Sequence, residues 1–110
     1  IGPPAQSIRD MGDKIGSRRL MRAAGVPIVP GLAEPVADAA AAVQAAKGIG
    51  YPIALKASAG GGGKGIRIVR AEGEMDNAFR TASGEALASF GDGRMYLERY
   101  LDKPRHIEIQ

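Results

Sequence analysis

"KASAGGGGKGIRIV", residues 56–69, sets four consecutive glycines between Lys56 and Lys64. Glycine loses more conformational entropy on folding than any other residue, so such a run weakens a fold locally unless something gains from the missing side chains. A ligand lying against bare backbone gains, and the flanking cations suit an anionic one. The segments on either side read as strands. "YPIALKAS" (51–58) is rich in β-formers and led by a proline, and "IRIVR" (66–70) mixes apolar Ile66, Ile68 and Val69 with basic Arg67 and Arg70. The second is expected to be half-buried and paired with the first, which puts the glycines at the tip of a β-hairpin.

That placement narrows the ligand. The stretch formally contains G-x-G-x-x-G at Gly60, Gly62 and Gly65. A dinucleotide fingerprint needs a helix straight after the loop, so that the helix N-terminus meets the pyrophosphate. Here the loop runs into β-branched residues instead. A Walker A loop fails because Gly65, not Ser or Thr, follows Lys64. What remains is a hairpin-tip glycine loop, of the kind that covers ATP phosphates in protein kinases. Its backbone N–H groups can point at phosphate oxygens because nothing protrudes from the chain. Lys56 lies on the strand entering the loop, whereas the kinase lysine lies on a later strand, so another family is indicated. Strand alternation puts Ile53 and Leu55 on one face and Ala54 and Lys56 on the other. A plain surface hairpin would need the glycines alone. Lys56 at the strand end argues against it.

Outward from the hairpin, three helices are expected. In "MGDKIGSRRLMRAAGVPIVPG" Asp13 is a plausible N-cap, and Gly25 followed by Pro27 is a stop signal. "VPIVPG" is an extended connector, because residues before proline avoid the helical region. A second helix is expected from about Pro35, a good first helical residue, with an apolar stripe at Val36, Ala39 or Ala40, Val43 and Ala46, closing at Lys47–Gly48. A third runs from about Gly73 to Phe90 on Met75, Phe79, Ala82, Ala86 and Phe90, with Gly91 as the stop. "RMYLERYL" (94–101) reads as a further strand, and "RHIEIQ" (105–110) as the start of another. The fold class is therefore α+β: a small antiparallel sheet with helices packed on one face.

The bulk numbers bound the partners. At 110 residues, this is one domain, or one domain with extra helices attached. Cysteine is absent, which excludes disulfides and thiolate zinc sites and fits a reducing compartment. No apolar run approaches the ~20 residues of a membrane helix, and the N-terminal stretch lacks the basic and apolar regions of a signal peptide. The net charge of +3 is spread along the chain, and the aromatic residues are two Phe and three Tyr. Nucleic-acid binding is therefore not expected, whereas attraction of a small polyanion is. The chain starts at Ile1 and ends in an interrupted alternating stretch, so both ends look like the edges of an excision.

Three smaller features accompany the loop. Lys14 begins a helix, where a cation opposes the macrodipole unless a phosphate lies nearby. Glu98 lies on the strand leading out of the module, and its carboxylate can accept from an amine. His106 is the sole histidine, and with no Cys or second His beside it a metal site is rejected. Read singly, each is an ordinary exposed or structural residue.

Together these residues resemble the ATP-grasp part of biotin carboxylase, the component shared by the biotin-dependent carboxylases of acetyl-CoA, propionyl-CoA, methylcrotonyl-CoA and pyruvate. The resemblance covers nearly the whole chain and rests on "IGP" (1–3), "MGDK" (11–14), "AGVPIVPG" (24–31), "GYPIALKASAGGGGKGIRIV" (50–69), "YLERYL" (96–101) and "PRHIEIQ" (104–110), in that order. It implies a helical connector over 1–28, an ATP-grasp lid or B subdomain over 29–100, and a first strand of the next domain over 101–110. It also implies that Lys14 and Lys56 contact nucleotide phosphates, and that Gly62 and Gly63 sit in the loop folding over them. Ile66 falls where an apolar residue lies against adenine. Glu98 would accept the adenine amino group, the backbone of Arg99 and Leu101 would read the ring edge, and His106 would lie near the ribose. Lys64 stands where Arg is also seen.

The family reaction uses MgATP and bicarbonate to make carboxyphosphate and then carboxylates biotin on a carrier domain, in concert with a carboxyltransferase component. Its magnesium, bicarbonate and biotin residues belong to the C-terminal domain, so this stretch alone is expected to be inactive. Cytoplasm is the expected compartment, or the mitochondrial matrix in a eukaryote. The glycine loop is expected to be open without nucleotide and ordered over ATP. Two alternatives are the lid of another ATP-grasp ligase, such as a carbamoyl-phosphate synthase, and a non-catalytic nucleotide-sensing module.

Overall fold

The computed structural model describes residues 1–59 and 63–110. Its sheet has three antiparallel strands: β1 (Ile53–Ala57), β2 (Ile66–Val69) and β3 (Met95–Arg99), in the order β2-β1-β3. Lys56 pairs with Ile66 on one side and Tyr96 on the other, and Ala54 pairs with Ile68 and Glu98. This register gives the sheet two distinct faces. Ile53, Leu55, Ala57, Val69, Met95 and Leu97 point to one face and are buried. Ala54, Lys56, Ile66, Ile68, Tyr96 and Glu98 share the other.

The first face is covered by two helices, α3 (Ala39–Ile49) and α4 (Met75–Phe90). Ala42 and Ala46 of α3, with Met75, Phe79, Ala82 and Ala86 of α4, close the core against the strands. Small alanines at the contact let the helices approach, and Met75 and Phe79 supply the bulk. α4 is led by a 3-10 turn at Glu72–Glu74 and ends on Gly91 in the left-handed region, as its stop signal predicts. Phe90, expected on the buried stripe, is 37% exposed because it lies in the last turn, beyond the sheet.

The helix before them, α2 (Lys14–Ala23), is capped by the Asp13 carboxylate, which accepts from the Gly16 N–H at 2.7 Å. An additional helix precedes it, α1 (Ala5–Gly12), which the sequence reading does not assign; it buries no residue, so no core-facing stripe marks it. No helix among the described residues is long and apolar enough to cross a membrane.

Two expected elements differ. The second expected helix begins not near Pro35 but at Ala39, with Asp38 as its cap, accepting from Ala41 N–H at 2.8 Å. Val36 instead donates its N–H to the Met95 carbonyl at 2.7 Å, so pairing with β3 holds this residue extended. The final stretch 105–110 forms no strand. Ile107 and Ile109 stand exposed, since a strand needs a partner for its backbone groups and none pairs with this segment.

Candidate functional site

The open face of the sheet carries an unusual mixture. On β2, Ile66 is 36% and Ile68 37% exposed, while Val69 beneath them is fully buried. The strand is half-buried and paired with β1 as expected, with Val69 on the covered side and the two isoleucines on the open one. Arg67 lies on the helix side, where its guanidinium pairs with Glu85 of α4 at 3.2 Å. That ion pair at the sheet edge lets a basic residue occupy the covered face, leaving two isoleucines on the open one.

Ile66 and Ile68 line a cleft of ≈ 270 Å³ with Ala54, Tyr100 and Leu101. A second cleft, ≈ 340 Å³, adjoins it and is lined by Lys14, Ser17, Arg18 and Tyr96. Lys56, Ile66 and Glu98 belong to both. One surface thus runs from an apolar slot to a cationic patch. A roomier hollow of ≈ 450 Å³ beside α1 and α2, lined by Arg9, Asp10 and Arg19, touches none of the expected site residues.

Glu98 stands at the junction. Its Oε1 accepts from the Lys56 ammonium, and its Oε2 from Arg18 Nη1 at 3.0 Å. Its side chain is 16% exposed, so pairing offsets much of the cost of removing the carboxylate from water. Burial, reinforced by the Glu98 charge, pushes the Tyr96 phenol above its usual value and keeps it neutral. Lys14 is the first residue of α2, immediately after the Asp13 cap, and faces the same cleft as Lys56.

The glycine hairpin closes just beyond. Gly65 accepts from the Ala57 N–H at 2.9 Å, and its own N–H donates to Glu85 at 3.0 Å. Gly65 has φ +68°, and a Cβ there would come within 2.8 Å of the Ala57 Cβ. Both the backbone and the contact therefore require glycine. Gly63 is exposed at φ +83°. Gly62, expected to cover phosphate, lies outside the described residues, as do Gly60 and Gly61.

Of the expected residues, Lys14, Lys56, Ile66, Glu98, Arg99 and Leu101 thus border this surface. The Arg99 side chain runs the other way, toward the Ile49 carbonyl at 3.4 Å, and its N–H donates to the Pro30 carbonyl. His106 borders neither cleft; it lies in the exposed C-terminal segment beside Glu108, at 3.5 Å. Sequence reading missed Arg18 and Glu85. The first shared a helical face with Lys14 at i,i+4, a signal that was present. The second is legible only once α4 packs beside the hairpin. Among the described residues, no three His, Cys, Asp or Glu side chains converge to hold a metal.

Residues 13–110 match the family model described as the carbamoyl-phosphate synthase L chain, ATP binding domain. The chain is 52% identical over 110 residues to the α subunit of mitochondrial methylcrotonoyl-CoA carboxylase from Arabidopsis thaliana, covering all of this chain and 15% of that protein. Its fold matches a biotin carboxylase from Campylobacter jejuni, solved as a β,γ-ATP complex, with TM-score 0.83 and 46% identity, over 94% of this chain and 23% of the other. It also matches the biotin carboxylase domain of 2-oxoglutarate carboxylase from Hydrogenobacter thermophilus, solved with MgADP, ADP and bicarbonate. There the TM-score is 0.80 and the identity 48%, over 92% of this chain and 22% of the other. The chain therefore spans under a quarter of the length of each of these proteins. With the order of its motifs, the hairpin sheet and the match over residues 13–110 in agreement, the chain belongs to the family of carbamoyl-phosphate synthase L chain ATP-binding domains, and the proteins it is similar to include biotin carboxylases.

Proposed function

We propose that the open face of the sheet is one wall of an ATP site, and that the complete protein is a biotin carboxylase that uses MgATP and bicarbonate to carboxylate biotin on a carrier domain. The observation that carries this is the convergence of Lys14, Lys56, Ile66 and Glu98 on one surface beside the glycine hairpin. The apolar slot suits the flat face of a purine. The ammonium groups of Lys14 and Lys56 neutralise phosphate charge, and each is a compact point charge suited to a phosphate oxygen. Glu98, at the border between slot and cations, accepts the exocyclic amine. The Arg99 and Leu101 backbone follows the ring edge, and Gly62 and Gly63 close over the phosphates. His106 is assigned to the ribose by the motif resemblance.

Residues 29–100 form the lid and 1–28 the connector. Residues 101–110 become the first strand of the C-terminal domain once that domain supplies a partner. Magnesium enters with ATP, and the ligands for metal, bicarbonate and biotin come from outside this stretch. A carboxyltransferase component receives the carboxybiotin. The host protein works in the cytoplasm, or in the mitochondrial matrix of a eukaryote.

The test compares the segment with the whole. The complete protein should carboxylate free biotin in a reaction requiring both ATP and bicarbonate, and the isolated 110 residues should show no bicarbonate-dependent ATP hydrolysis. Turnover by the repurified segment would overturn the division of labour. A complete protein that binds ATP yet carboxylates nothing would return the chain to the nucleotide-sensing reading.

A further inference from the structure

We infer that Arg18 is a positioning residue for the nucleotide site: it holds Glu98 so that Lys56 can leave it for phosphate. Arg18 bridges segments far apart in sequence. Nη1 donates to Glu98 Oε2 at 3.0 Å and Nη2 to the Val29 carbonyl at 2.5 Å. Its side chain is 15% exposed, close to the 16% of Glu98. The planar fork of arginine serves both acceptors at once, which a lysine ammonium does less well. The backbone is shaped around this contact. A Cβ on Gly31 would lie 2.8 Å from Arg18 Nη2 and 2.7 Å from the Leu97 carbonyl oxygen, so only glycine at 31 lets the connector, the guanidinium and β3 meet.

The consequence follows from the charges. Lys56 and Glu98 are partners in the structure, yet the nucleotide reading requires Lys56 at phosphate and Glu98 at an amine. Were Lys56 its only cation, a part-buried Glu98 would resist giving it up, because an unpaired charge out of water is costly. Arg18 removes that competition. With Oε2 fixed by Arg18, Oε1 can exchange the Lys56 ammonium for a neutral N–H donor while the carboxylate keeps a cation. Arg18 also ties α2 to β3, and α2 carries Lys14 one turn earlier, so the same bridge sets the spacing of the two phosphate-binding lysines.

This inference rests on the nucleotide reading, and the experiment separates the two. In the complete protein, Arg18→Ala, Arg18→Lys and Lys56→Ala are compared for ATP KM, bicarbonate KM and kcat, with ATP affinity also titrated directly and folding checked by thermal unfolding. Arg18→Ala should raise the ATP KM at least tenfold while the bicarbonate KM and kcat stay within about threefold, and Arg18→Lys should recover part of the loss. In a Glu98→Gln background, Arg18→Ala should have a much smaller effect, because the carboxylate it serves is gone. Should Arg18→Ala not fold, Arg18→Lys with and without Glu98→Gln reads the same coupling. An ATP KM within twofold of the parent in folded Arg18 variants, or equal losses with and without Glu98, would overturn the role of Arg18, provided Lys56→Ala still weakens ATP. If Lys56→Ala leaves ATP binding unchanged, the nucleotide reading itself fails and this inference falls with it.

Discussion

The two faces of one small sheet are built on opposite terms. On the covered face, Ile53, Leu55, Val69, Met95 and Leu97 are fully buried under α3 and α4, and the polar Arg67 is admitted only at the edge, in an ion pair. On the open face, two isoleucines stay over a third exposed, and a carboxylate is held between two cations. The strands are the same, and only alternation separates the faces. Burial on one side supplies the stability, which frees the other side to keep side chains that gain little without a ligand. A surface that combines exposed apolar groups with paired, part-buried charges is expected of a binding site rather than of a solvated face.

The sharpest way to break this comparison is Leu97→Ala. Leu97 is fully buried, so truncation should cost about 2–5 kcal/mol in denaturant unfolding. A loss below about 1 kcal/mol would mean that the covered face does not carry the fold. Gly65→Ala comes next. Its positive φ and the 2.8 Å approach to Ala57 predict a destabilisation of about 1–3 kcal/mol, with the hairpin end loosened. Amide exchange of Ala57 and Gly65 should quicken, and unchanged protection there would show that the turn adapts.

Lys56→Ala should act in the opposite way, on ligand rather than fold. In the complete protein, kcat/KM for ATP should fall at least ~10-fold, about 1.4 kcal/mol, with a smaller change in unfolding free energy. Lys56→Arg should rescue only partly. An unimpaired Lys56→Ala protein would make the open face an ordinary surface. Ile66→Ala is expected to have the smallest effect of the set. Full burial of isoleucine stabilises by about 1.5–3 kcal/mol, and 36% of this residue stays exposed, so about 1 kcal/mol is expected. If it cost as much as Leu97→Ala, the two faces would be energetically alike.

Much of this is legible in the sequence alone. The β-branched run after the glycines placed them on a hairpin, the alternation in "IALK" separated Lys56 from Leu55, and Asp13 and Gly91 marked helix ends where they occur. The motif order led to the family. Locally driven features of this kind depend on residues near in sequence, which is why they can be read from it.

What only the tertiary structure decided involves residues brought together from a distance. Which face Ile66 and Ile68 take is set by the register that pairs Ile53 with Val69 and Lys56 with Ile66, and Arg67, left on the covered side, meets Glu85 18 positions along the chain. α3 starts at Ala39 rather than near Pro35 because Val36 is held extended by its bond to β3, nearly sixty residues away. Arg18 became part of the site through Glu98, 80 residues distant. In each case the contacts that fix the outcome join residues distant in sequence, so tertiary packing overrides or completes what local propensity and pattern suggest.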